Sequence, residues 1–504
     1  MARRLIGLSV AGLMALTMVP AAAETPGREE IVAVVEAQHD ATVKALQDWI
    51  ALPTIAAEKR NVTEGAEYMR QLALDAGFQQ AKIIPTDGVP GVFATLDAGA
   101  PTTLGIYFMY DVKQYEPAEW SSPPLEAQLV ERPGEGLAMV GRGVVNQKGP
   151  EMSFLAAIKA IQASGRKLPV NIVLVAEGEE EVASTHFDQV VAVPEVQAAL
   201  AKTIGVFIPS ALQSKEGSAN ITLGAKGAVE FQLIVSGETS GKYPKTDVHS
   251  SNHARIESPA WRLVKALDTL VADDGHTPTI DGWFDNVRPL TPRQKQLIAE
   301  SLALNSEAQD KAALGIAQWI GNEDYRTSLE RFFSQPTVNI QGLVSGYTGP
   351  GGKTVLPGRA EAKLEFRLVP AMTKDEAVSK LKAHLAKRGF DDVEVVISGG
   401  YGPNETEEDS LLIAAQKRLF EQTGVSYSIR PRNAGSWPGV VFNGPPLNLP
   451  ATQFGLSRGG GAHAPNEWFL IDSSDPKING IDESTMTYVD YLYVIAEEAK
   501  KRGK

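Results

Sequence analysis

The chain has 504 residues, no cysteine and a net charge of −13 at neutral pH, with 43% hydrophobic and 22% charged residues. That length suits two or three domains around a large core, and the composition excludes intrinsic disorder and a multispan membrane protein. Without cysteine there is no disulfide, thiol nucleophile or thiolate-bound metal, and the acidic balance argues against nucleic acid as a partner, because phosphate contacts need clustered Lys and Arg.

The first residues read as an export signal: Arg3 and Arg4, an apolar stretch from Leu5 to Val19, and Ala21, Ala22 and Ala23 as a small-residue cleavage site. The stretch is shorter than the ~20 residues of a membrane-spanning helix, so no stable membrane anchor is expected. Residues 1–23 are thus a signal peptide, and the protein is expected to be periplasmic or secreted.

The apolar residues Ile31, Val35, Leu46, Trp49 and Ile50 predict a helix from Glu29 to Leu52, and a second starts at Thr63 and stops at Gly77. Short apolar runs at Ala81–Ile84, Val92–Leu96, Leu104–Phe108 and Val170–Ala176 predict strands, with a helix at Pro150–Gln162 between the last two. Strands that are apolar throughout and alternate with helices predict a mostly parallel sheet buried on both faces.

After about residue 220 the pattern changes. Ala360, Ala362, Leu364, Phe366 and Leu368 alternate with Glu361, Lys363, Glu365 and Arg367, the period of a strand with one wet face. Thr373 and Glu376 then open a helix as a capping box, Gly389 closes it, and Val393–Ile397 is another strand. The segment from Trp261 to Phe333 is helical and polar and reads as an elaboration of this second, α+β domain. Helix–strand alternation resumes near Glu405 and ends in a helix from Glu483 to Lys500. The expected architecture is an α/β domain, residues 24–220 and 401–504, interrupted by an inserted domain, residues 221–400.

Ligands of α/β sheets bind beyond the carboxyl ends of strands. There the sequence places Glu177, Glu179, Glu180 and Glu181, four carboxylates within five positions, a crowding that needs a cation or a proton to relieve it. Met109, Tyr110 and Asp111 follow another strand, the glycine-rich stretch Gly141–Gly149 leads into the helix at Pro150, and His463 and His249 lie in loops.

In order and spacing these segments resemble the zinc-dependent exopeptidase and deacylase family that includes carnosine dipeptidases, carboxypeptidase G, acetylornithine deacetylase and succinyl-diaminopimelate desuccinylase. Tyr110-Asp111-Val112, Glu119 to Pro124, Gly141-Arg142-Gly143, Lys148-Gly149 and Glu177 to Glu181 carry the likeness to its dipeptidase branch, and Lys353 to Pro357 with Phe366 to Pro370 extend it through the inserted domain. The resemblance implies an inserted domain that dimerises and acts as a lid, hence a homodimer. It also implies two zinc ions sharing a water, with a glutamate as general base.

Carried over residue by residue, Glu180 matches the base and stands with Asp111 as a catalytic candidate. The metal-ligand positions fall on Met109, Asn146, Glu181, Ser210 and His463, where the family has His, Asp, Glu, Asp and His. Three of the five are substituted. A thioether is a poor zinc ligand, an amide bridges two dications badly and a serine has no charge, so one weak metal site at Glu181, His463 and Asn146, or none, is expected. The substrate-gripping positions match His249, Thr354, Arg367 and Ser436, with His249 supplied by the partner subunit. Near them, Asn433 stands where the family has a carboxylate.

These readings favour a hydrolase of small peptides or N-acyl amino acids bearing a free carboxylate, working with one divalent metal or none. The competing reading is a catalytically dead family member that captures the same ligands.

Overall fold

The computed structural model describes residues 25–503; the export signal and its cleavage at Ala23 lie outside the described residues. The predicted apolar runs become strands of one six-stranded sheet, ordered Gln80–Ile84, Gly91–Leu96, Asn171–Glu177, Thr103–Met109, Val206–Pro209 and Ala451–Phe454. The last four are mutually parallel, and the first two join antiparallel at one edge, so the sheet is mostly parallel.

Consecutive residues of Thr103–Met109 are apolar because both faces are covered. Leu104, Ile106 and Phe108 pack towards Phe154 and Ile158 of the helix Gly149–Ala163 and Tyr488 and Leu492 of the helix Ile481–Lys501. Tyr107 packs on the other side, with Phe187, Trp437 and Phe442. The expected single helix from Glu29 is two, Arg28–Ala37 and His39–Ile50, broken at Gln38. The break brings His39 Nδ1 within 3.0 Å of Asp482 at the start of the C-terminal helix.

The inserted domain holds an antiparallel sheet ordered Thr337–Ser345, Arg359–Leu368, Gly227–Ser236 and Glu394–Tyr401. Its apolar face, including Phe231 and Phe366 with ring centroids 4.5 Å apart, packs under the helices Pro259–Asp268 and Lys374–Lys387 through Leu263, Leu381 and Leu385. Thr373 caps the latter helix, its hydroxyl accepting the Glu376 N–H at 3.2 Å, but Glu376 completes no capping box. Its carboxylate turns instead to Lys380 and Asn286. The helical segment read as an elaboration of this domain divides: Pro259–Asp268 covers the sheet, whereas Pro292–Ser301 lies against the strand Tyr427–Arg430.

The wet face of the inserted sheet is not all wet. Glu365, on the polar side of the predicted alternation, is only 7% exposed because that face roofs the carboxyl ends of the parallel strands. Phe366, fully buried between Phe231 and Trp283, anchors the opposite side. Phe366→Ala should cost about 3–5 kcal/mol of stability, read by denaturant unfolding.

Candidate active site

Two chain reversals build the floor of the cleft. Gly143, at φ +83°, turns the chain from the strand Gly136–Val140 towards Asn146, and a Cβ there would stand 2.3 Å from Val112 Cγ1. Gly178 lets the chain leaving Asn171–Glu177 pass the Tyr110 ring, which a Cβ would meet at 2.3 Å. Asp111, 1% exposed, then accepts the N–H groups of Glu180 at 3.2 Å and Glu181 at 3.0 Å and fixes their turn. Burial, followed by the Glu181 charge, pushes the Asp111 carboxyl up to about 8.

The four crowded carboxylates part company. Glu177 accepts the Tyr107 hydroxyl at 2.8 Å and the Ser184 hydroxyl at 2.9 Å. Glu179 takes the Val89 and His186 N–H groups and lies 2.8 Å from His186 Nδ1. Glu181 accepts Asn146 Nδ2 at 2.8 Å, lies 3.1 Å from His463 Nε2 and 3.6 Å from Lys113 Nζ, and its backbone carbonyl accepts a hydrogen bond from the same ammonium. Glu180 alone has no side-chain partner among the described residues, and it faces the cavity.

The electrostatics follow these partners. Burial opposes the charge of Glu181, but the His463 hydrogen bond and charge, Lys113 and Asn146 outweigh it, and its carboxyl is held below the usual range. Burial, then the charges of Glu181, Asp111 and Glu177, push Glu180 well above that range. Burial would lower Lys113, yet Glu181, Glu230, Glu180 and Asp111 raise it, so it carries a charge.

The cavity, about 260 Å³, is lined by Glu180, Glu181, Asn146 and His463 on the catalytic-domain side and by Glu230, Glu365 and Arg367 on the inserted sheet. Arg367 Nη1 donates to Ser436 Oγ at 2.6 Å, Arg367 Nη2 is 2.5 Å from Glu365 Oε1, and the Tyr401 hydroxyl lies 3.3 Å from Ser436 Oγ. A larger cavity of about 830 Å³, between the helices Arg28–Ala37 and Ile481–Lys501, contains none of the motif residues.

His463 is placed from behind. The Arg142–Glu467 ion pair at 2.8 Å is almost fully buried, Glu467 also accepts the N–H groups of Gly143, Val145 and Asn146, and Arg142 donates to the carbonyls of His463 and Ala464. One pair therefore ties the glycine-rich turn to the histidine loop.

Of the residues singled out in the sequence, Glu180, Glu181, Asn146, His463, Met109, Arg367 and Ser436 share this cavity. Asp111 lies beneath it. Ser210 is buried behind it, with Oγ 3.3 Å from the Ile208 carbonyl. His249 and Thr354 stand apart on an exposed ribbon in which Val248 and His249 pair with Leu356 and Val355. The sequence reading missed Lys113, Glu230, Glu365 and Tyr401. Lys113 had a signal, two residues beyond Asp111 at a strand end; Glu230 had none.

The donor set does not fit the two-zinc centre that the resemblance implies. Among the described residues no group of three His, Asp or Glu is arranged to hold a metal ion. Of the retained positions, Glu181 and His463 supply two donors, fewer than the three protein ligands of a catalytic zinc. Asn146 presents its amide nitrogen, not its oxygen, to both of them, at 2.8 and 3.1 Å.

Residues 108–482 match the model of Peptidase family M20/M25/M40. The chain belongs to this family. It is 27% identical over 84% of its length to the Cys-Gly metallodipeptidase of Candida albicans, covering 90% of that protein. It is likewise 27% identical to the Beta-Ala-His dipeptidase of Rattus norvegicus, over 71% of this chain and 73% of that one. Its fold superposes on an M20-family metallo-carboxypeptidase of Sulfolobus solfataricus with a TM-score of 0.78 and 29% identity, covering 90% of this chain and 99% of that chain. The match takes in both the mostly parallel sheet and the inserted antiparallel sheet.

Glu467→Ala would leave Arg142 buried without its partner. It should cost about 3–5 kcal/mol in denaturant unfolding and speed hydrogen exchange at the amides of Gly143, Val145 and Asn146.

Proposed function

We propose that this family member acts on small peptides or N-acyl amino acids that carry a free carboxylate, and that Glu180 exchanges the proton in cleavage of their amide bond. The observation that carries this reading is that Glu180, the one carboxylate of its cluster without a side-chain partner among the described residues, faces the same cavity as the Arg367–Ser436 pair. A guanidinium beside a hydroxyl is a geometry for holding a carboxylate. On this reading Glu180 takes a proton from the water that attacks the neighbouring amide and returns it to the leaving amine. Burial, then the charges of Glu181, Asp111 and Glu177, raise the Glu180 carboxyl well above the usual range and so make its carboxylate a stronger proton acceptor.

The exposed ribbon with His249 and Thr354 supports a homodimer in which these residues complete the partner's cleft, since this chain's own cavity does not include them. The names of the relatives support peptide substrates. Export rests on the first 23 residues, and a mature N-terminus at Glu24, read by mass spectrometry of the expressed protein, is the result that bears on it.

A second reading, capture without cleavage, is favoured by the side chains at the replaced ligand positions: Met109 lines the cavity with a thioether and Ser210 is buried behind it. A hydrolysis screen of dipeptides and N-acyl amino acids separates the two. On the first reading Glu180→Gln lowers the rate by at least ~100-fold while the substrate still binds. Hydrolysis that persists in Glu180→Gln would contradict the assigned role, and saturable binding without turnover in the wild type would establish the second reading.

Arg367→Ala should weaken binding about 10–100-fold, the loss expected for a hydrogen bond to a charged group, and should abolish any preference for a peptide over its C-terminal amide. Calorimetric titration with both ligands measures this.

A further inference from the structure

The misfit between the donor set and a metal centre leaves a question of charge. Glu181 is a carboxylate whose side chain is 4% exposed, and a buried charge persists only where other groups compensate it. This chain supplies three compensating groups: Asn146 Nδ2 at 2.8 Å from Oε1, His463 Nε2 at 3.1 Å from Oε2 and Lys113 Nζ at 3.6 Å from Oε2. Asn146 and His463 also contact each other, at 3.1 Å, so the two close around the carboxylate.

Lys113 differs from the other two in bringing a full charge. It follows the central strand Thr103–Met109, where the bond from the Val112 N–H to the Thr54 carbonyl at 2.8 Å fixes the backbone beside it. Its ammonium donates to the Glu181 carbonyl, which holds the stem in one direction, while 27% of the side chain stays exposed to the cavity. Lys113 is the single lysine lining that cavity among the described residues, and it shares the lining with Arg367, Glu180 and Glu230.

We propose that Lys113 is the resident cation of this cleft: its ammonium occupies the charge-compensating place at Glu181 that a metal ion would need, and it meets a carbonyl or carboxylate oxygen of a bound peptide. An ammonium already paired with Glu181 repels a dication approaching the same carboxylate, and its remaining N–H groups are directional donors to a ligand oxygen. The charge of Glu181 is then balanced by side chains of the cleft itself. The ligand half of this proposal rests on the peptide reading of the cleft; the zinc half does not.

The test uses the full-length protein as wild type, Lys113→Gln, Lys113→Met and Lys113→Arg, with thermal melts to show that each is folded. Zinc is titrated calorimetrically, and alanyl-alanine is titrated in the presence of EDTA. The neutral variants should bind zinc at least tenfold more tightly than wild type and alanyl-alanine at least tenfold more weakly. Lys113→Arg, which keeps the charge, should stay close to wild type in zinc affinity. Zinc affinity unchanged in both neutral variants overturns the proposal. Wild type that binds no peptide in EDTA overturns the peptide reading, while the zinc titration still decides whether Lys113 is the resident cation. Should one neutral variant fail to fold, the other carries the comparison.

Discussion

Four carboxylates leave the strand Asn171–Glu177 within five positions at the carboxyl end of a buried sheet, and the site is organised by how each is satisfied. Hydroxyls take Glu177, an imidazole and two backbone N–H groups take Glu179, and an amide, an imidazole and an ammonium take Glu181. Burial without such partners would be prohibitive for an ionised carboxylate. Glu180, left without a side-chain partner among the described residues, faces the cavity instead.

The rest of the molecule maintains this balance. Asp111 sets the Glu180–Glu181 turn from below through two backbone N–H groups, and the buried Arg142–Glu467 pair holds the turn bearing Asn146 and the loop bearing His463 in register. From above, the inserted sheet closes the cleft with Glu230, Glu365 and Arg367, its apolar reverse packed on Trp283 and Leu381. The inserted sheet therefore supplies one wall of the cavity within a single chain.

Much of this was legible in the sequence where the pattern is local. Apolar runs bounded by Gly and Pro located Thr103–Met109 and Asn171–Glu177, and strict alternation located Arg359–Leu368, because burial on two faces or one leaves a direct mark on residue order. The motifs brought Glu180, Glu181, Asn146, His463, Arg367 and Ser436 to one cavity across more than 300 positions of chain. What escaped depends on tertiary context. Val206–Pro209 and Ala451–Phe454 are four-residue buried strands with too few residues to show a period. Glu365 reads as a solvated strand residue until the catalytic domain is placed beneath it, and Glu230 carries no local mark. The compensation of Glu181 by Lys113 joins residues 68 positions apart.

The charge of the cleft is balanced by its own side chains, and its donor set does not fit two metal ions. Zinc titration of the wild type beside the combined variant Met109→His, Asn146→Asp, Ser210→Asp tests it most directly. The wild type should show no tight zinc binding, and the combined variant, where the ligand types of the family are restored at all five positions, should show a clear gain. A wild-type protein that bound two zinc ions per chain with sub-micromolar affinity would contradict it.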